Sequence, residues 1–286
     1  MLEGHFFMTC YYDVIILGGN LNGILSSSII KEKGLSVCYL DSERLLNNFH
    51  TSVIDRGINK LLDNPYHTWD YFQISLEAIY KLTDIIKLLD NDCEFTRYPL
   101  LSFKAKPLDN NNSLLLPFTN LIYQGGTKVN YQKLMNELLK YCQENNIDVI
   151  DNTEIASIEI EVDYILLKTK VKQLTCKKLI ISSRSDSKLF FERPKANFYN
   201  NISKDNKYNI SQNHKKNEVE YFFNQSSYLK TEDLPYISLH EDYHNIFFNI
   251  GNDEILTSVI GTILFLEMYE CNKGKRIDLF QQIYNP

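Results

Sequence analysis

The chain has no apolar run long enough to cross a bilayer. Its best candidates, Val14 to Leu25 and Ile255 to Met268, are too short or interrupted. It has no basic surplus either: 30 lysines and arginines face 36 acids, for a formal charge of −6, which argues against a nucleic-acid partner. The six cysteines (Cys10, Cys38, Cys93, Cys142, Cys176, Cys271) contain no CxxC and no paired spacing. Buried, reduced thiols are therefore expected, without a disulfide framework, and no metal is expected because the six histidines also lack ligand spacing. Residues 1–11 lack the charged start and apolar stretch of a secretory signal, so they read as a loose leader and the protein as cytoplasmic. No internal repeat is visible.

What the sequence does contain is clearest at residues 12–41. The run Asp13-Val14-Ile15-Ile16-Leu17 predicts a buried strand, broken at Gly18-Gly19-Asn20-Leu21-Asn22-Gly23. A helix is expected from Ile24 to Lys33, a turn at Gly34, and a second strand at Leu35 to Leu40 closed by Asp41. That order suits a Rossmann half: a tight turn, a helix N-terminus facing a pyrophosphate, then a carboxylate for a ribose hydroxyl. The fingerprint has one defect, Asn20 in place of its middle glycine.

Further along, Ser42 to Gly57 reads as irregular. Apolar residues from Trp69 to Leu89 recur at helical spacing, predicting a helix over 66–89 after the break at Asn64-Pro65. Glu94 to Phe103 suits a strand that Pro99 would confine to an edge. Gly125-Gly126-Thr127 reads as the approach to a helix over 131–145. Strands are expected at 148–150, 155–162 and 164–171, with a turn at Asp163. Lys178 to Ser183 suits a further parallel central strand. Pro194 to Glu218 is polar and rich in Asn and Lys, an exposed or mobile connection. Strands at 219–223 and 245–250 and an apolar helix at 255–269 complete the expectation.

The order of these elements resembles the superfamily of FAD-linked amine oxidases and UDP-galactopyranose mutases. Within it, the likeness is closest to the Rab GDP-dissociation inhibitors and Rab escort proteins. Tyr12 to Gly18 with Leu21 looks like that branch's opening strand and turn, and Leu40-Asp41-Ser42 with Asn47-Asn48 like its strand end and loop. Gln124-Gly125 and the helix from Tyr131 look like its second cofactor-domain helix; Asn152 with Ile155 to Ile158, and Cys176 to Ile180, look like the strands behind it. The chain departs from the pattern at Asn20 and at Asn47-Asn48, where a glycine pair is usual. The stretch between Phe103 and Tyr123 is also too short for the helical subdomain that takes up prenyl groups.

The resemblance implies an α/β fold: an FAD/NAD(P)-binding Rossmann-like domain with a parallel central sheet over 12–62, 120–190 and 218–275. A small, reduced second region would occupy 63–119 and 191–217. It implies a non-catalytic protein that binds Rab in its GDP form through Leu45, Leu46, Lys133 and Ile150, and that in the escort branch also meets a prenyltransferase. Packing or solvation explains those four residues equally well. The alternative is an FAD-dependent oxidoreductase or flavin-assisted mutase acting on a small molecule. Gly18, Gly19, Asn20, Gly23, Asp41, Ser42 and Ile155 would then hold the cofactor. Because an Asn20 side chain would crowd a pyrophosphate, no cofactor is expected under the first reading. A simple NAD-dependent Rossmann enzyme is a weaker third reading, given the long gap after Asp41. Arg44, the segment Asp55-Arg56-Gly57, and Arg97, Arg184 and Arg193 are candidate phosphate or flavin contacts with ordinary surface readings beside them. His50, His67, His214, His240 and His244 lie in no catalytic pattern, and Phe247-Phe248 reads as core strand or pocket lining.

Overall fold

The computed structural model describes residues 9–42, 45, 51–54, 65–103, 121–182, 188–192, 209–211, 218–222, 235–240, 242–251, 254–271, 276–277 and 280. In chain order the first elements are β1 (Thr9–Leu17), α1 (Leu21–Lys31), β2 (Val37–Leu40), β3 (Thr51–Ile54), α2 (Pro65–Leu88), β4 (Thr96–Phe103) and β5 (Leu121–Asn130). Then come α3 (Tyr131–Glu144), β6 (Asp148–Ile150), β7 (Ile155–Ile160), β8 (Ile165–Thr169), β9 (Gln173–Ile181) and β10 (Lys188–Glu192). The last are β11 (Asn209–Ser211), β12 (Glu218–Phe222), β13 (Tyr236–Leu239), β14 (Ile246–Ile250) and α4 (Glu254–Cys271).

The second half of β1, Val14 to Leu17, is apolar without alternation because both its faces are covered. It lies between β2 and β9, parallel to both, and β6 and β14 extend the parallel run as β6-β2-β1-β9-β14. Side chains of these strands alternate between two cores. Val14, Ile16, Tyr39, Ile180 and Phe247 face the layer formed with α1, α2, α3 and α4. Ile15, Leu17, Cys38, Leu40, Leu179, Ile181 and Phe248 face the other side, with Ile158, Ile160, Ile165 and Leu167 of β7 and β8.

Strand β9 has a double allegiance. Its first half pairs antiparallel with β8, closing the β7-β8-β9 meander, and its second half pairs parallel with β14. The sheet thus forks there, and β10, β12 and β11 continue it beyond β7. A separate sheet has the order β3-β5-β4.

Helix α1 is buried at every position from 21 to 30. Its serines are tolerated because Ser27 and Ser28 return their hydroxyls to the carbonyls of Gly23 (2.8 Å) and Ile24 (3.0 Å). Helix α4 lies against it and is buried from 255 to 266. Tyr71 of α2 meets Phe280 edge-on, with ring centroids 6.1 Å apart, in the same core.

The α/β architecture with a parallel central sheet agrees with the sequence reading, as do α2, α3 and α4 to within a few residues. Pro99 sits on an edge strand as expected, β4, opposite Gly125. Gly125-Gly126-Thr127 precedes α3 as expected; it lies inside β5, where Tyr98 and Pro99 pair with the two glycines, so strand pairing overrides glycine's low strand propensity. Two readings are corrected. Strand β3 lies within the stretch read as irregular, and β11 within the stretch read as a connection. Strands β10 and β13 were not anticipated from the sequence. Cys38, Cys93, Cys142 and Cys176 are buried free thiols. Among the described residues no helix is long and apolar enough to cross a membrane, and no cluster of side chains suits a metal.

Candidate functional site

The site is built where β1 stops. Gly18 donates its N–H to Leu40 O (2.8 Å), tying the turn to β2, and Ser182 donates its N–H to Leu17 O (2.9 Å), tying it to the end of β9. Gly18, Gly19 and Asn20 then take consecutive positive φ values of 66°, 86° and 48°. Two glycines are required by contact as well as conformation. A Cβ on Gly19 would lie 2.4 Å from Ser182 O, and one on Gly23 would lie 2.3 Å from Tyr39 Cε2 and 2.4 Å from Gly18 O. Gly23 is thus what lets α1 lie down on β2.

Asn22 and Ile24 begin the helical ladder by donating N–H to Gly19 O (2.8 Å) and Asn20 O (3.1 Å). The Asn20 side chain makes no cap hydrogen bond to α1. The first-turn N–H groups are therefore not satisfied by a side-chain cap, and with the positive-φ turn they form a site suited to an anion. Asn20 is half-buried and its Oδ1 is sealed from solvent without a partner. Among the described residues, the other buried side-chain polar atoms without partners are Asn22 Oδ1, Ser182 Oγ, Asn249 Oδ1 and Thr127 Oγ1. All but Thr127 lie at the start of α1 or the carboxyl ends of β9 and β14. In open α/β sheets that edge is where ligands sit.

Asp41 stands at the end of β2 and is buried. Its backbone is clamped by two bonds: Asp41 N–H to Ile150 O, and Thr153 N–H to Asp41 O, both 2.9 Å. Its Oδ2 accepts the hydroxyl of Tyr39 at 2.5 Å. Burial pushes the Tyr39 hydroxyl well above its ordinary pKa, with the Asp41 charge and hydrogen bond adding to it; the Asn20 backbone N–H, near the same hydroxyl, opposes the shift. Tyr39 was not singled out from the sequence. The one available signal was strand alternation, which puts positions 39 and 41 on the same face.

The remaining candidates divide. Ser42 is exposed beside Asp41, and Ile155 opens β7, half-buried against the second core. Leu45 packs against the main core and donates its N–H to Asp151 Oδ2 (3.3 Å). Ile150 is half-buried on β6, next to Asp41. Lys133 lies apart on α3, ion-paired to Glu94 at 2.7 Å. Arg97 bonds Thr83 Oγ1 (2.5 Å) and lies over the Tyr80 ring. His240 accepts the Asp242 N–H at Nδ1 (3.1 Å) and stacks on Phe248, a packing role. Phe247 and Phe248 are core residues on opposite faces of the sheet. Leu46, Arg44, the segment 55–57, Arg184 and Arg193 lie outside the described residues, as do Asn47-Asn48.

No protein-family model and no curated protein matches the sequence. Solved structures do resemble the fold. Glycine oxidase from Geobacillus kaustophilus matches with a TM-score of 0.56 and 11% identity, over 91% of this chain and 95% of that one. L-proline dehydrogenase from P. horikoshii matches with a TM-score of 0.55 and 11% identity, over 97% of this chain and 99% of that one. At such identity the likeness speaks to architecture alone, and the architecture is the FAD-binding Rossmann-like α/β fold.

Proposed function

We propose that the chain binds FAD at the Gly18–Gly23 turn and is a flavin-linked oxidoreductase acting on the C–N bond of a small amine or amino acid. The observation that carries this reading is the uncapped start of α1 over a positive-φ turn whose glycines at 19 and 23 cannot be replaced without collision. The residues present fit the cofactor. The turn and α1 N–H groups suit the pyrophosphate, Asp41 suits a ribose hydroxyl, and Asn20 offers an amide donor. The crowding expected of Asn20 loses force because that side chain turns its oxygen inward. When bound, FAD supplies a two-electron acceptor; the protein supplies binding, orientation and shelter from water. The substrate class is drawn from the two solved structures, one named for oxidising glycine and the other for dehydrogenating L-proline.

Purified protein incubated with FAD and desalted should show the flavin absorption bands, with the flavin released to the supernatant on heating. A flat spectrum after incubation with excess FAD would end this reading. Asn20→Gly should then bind FAD about 3- to 10-fold more weakly, the loss of roughly one hydrogen bond. Tighter binding by that variant would restore the crowding idea.

A second reading keeps the scaffold without the cofactor, as a Rab-binding protein resembling the GDP-dissociation inhibitors and escort proteins. It ranks below the first because Lys133 is engaged by Glu94 and Leu45 by the core. Capture of GDP-bound but not GTP-bound Rab, by protein that takes up no flavin, would reverse the order.

A further inference from the structure

Tyr39 is fully buried, and its ring forms the floor on which Gly23 rests. No room exists for the ring to swing toward α1, since even a methyl group at position 23 would lie 2.3 Å from Cε2. Its hydroxyl is therefore fixed on the Asp41 carboxylate, to which it donates at 2.5 Å. That carboxylate, at the end of β2, is the group a Rossmann half offers to the ribose of a dinucleotide.

We propose that the Tyr39 hydroxyl competes with the ligand for Asp41, so that Tyr39 limits how tightly the adenosine half of a dinucleotide is held. This rests on the flavin reading for the identity of the ligand, but it applies to any adenine nucleotide at the turn. A carboxylate has several acceptor sites, so competition weakens the ribose contact without abolishing it.

The test is titration of FAD, FMN and ADP into wild type and Tyr39→Phe, followed by calorimetry or flavin fluorescence. Removing the hydroxyl should tighten FAD and ADP about fivefold or more and leave FMN unchanged, because FMN lacks the adenosine half. Unchanged or weaker FAD and ADP binding, or an equal gain for FMN, overturns the proposal while leaving the flavin reading intact. Tighter ADP in the variant with no flavin bound by either protein supports the proposal and removes the flavin reading. No binding of any probe overturns both. Should Tyr39→Phe fail to fold, wild type decides alone. The proposal expects FAD to bind within about a hundredfold of FMN, and a larger preference for FAD overturns it.

Discussion

At the scale of single residues, Asp13 is the group whose titration should be felt. Its Oδ2 accepts the Ser36 N–H (2.9 Å) and hydroxyl (2.8 Å), and its Oδ1 accepts Lys177 Nζ (2.7 Å), so one carboxylate ties β1 to the loop before β2 and to β9. Burial raises its pKa, but the hydrogen bonds from Lys177 and Ser36 outweigh burial and the net shift is downward. A carboxylate whose folded pKa lies below its unfolded value, about 3.9, stabilises above that value and loses its effect as pH falls through the folded one. Asp13→Asn should therefore cost about 1–3 kcal/mol at neutral pH. In urea titrations its gap from wild type should narrow as pH falls through the folded pKa; a gap that persists in acid would assign the loss to geometry instead. Burial also pushes the thiols of Cys38 and Cys93 up to about 12 and that of Cys142 up to about 11. Iodoacetamide at pH 8 should leave all three unlabelled in the native protein and label them in denaturant, as read by mass spectrometry.

At the scale of elements, the contact between α1 and α4 is the one most exposed to substitution. Small hydroxyl residues knit it: Ser26 and Ser258 lie 3.0 Å apart, Thr262 donates to Ser26 (2.9 Å), and Ser258 donates to Asn22 O (2.8 Å). Behind them, a Cβ at Gly261 would fall 2.0 Å from Asn249 Oδ1. Helix propensity alone favours Gly261→Ala by about 1 kcal/mol. The collision should reverse that sign and leave a net loss of about 1–3 kcal/mol, measured as a lower urea midpoint. A raised midpoint would show that α4 can retreat from β14 at little cost. Periodicity made α2, α3 and α4 legible in the sequence, and the continuous apolar run did the same for β1. Strand β5 was not legible, because the meaning of Gly125-Gly126 depends on a partner strand, and only the fold supplies Tyr98 and Pro99 opposite them.

At the scale of the whole molecule, the turn and Asp41 were legible because local spacing defines them. The roles of Tyr39, Ser182 and Asn249 were not, because each acts across a contact between elements distant in sequence. Tyr39 reads as an ordinary strand aromatic until Gly23 and Asp41 are placed around it. Ligand linkage reaches this scale too. FAD at a hundred times its dissociation constant should stabilise the folded chain by about 2.7 kcal/mol, raising Tm by several degrees in scanning calorimetry. An unchanged Tm at saturating FAD would place binding, if any, equally on the unfolded chain.

The bond from Ser258 to Asn22 O spans 236 positions, and it bears on how the protein is made. As the chain leaves the ribosome, α1 is made well before α4, which covers the side that carries Ser26. Strand β2 and helix α3 can pack on their own sides of α1 earlier, but the Ser26 side stays open until α4 follows. The nascent chain should lean on chaperones, and slowing translation should deepen that dependence.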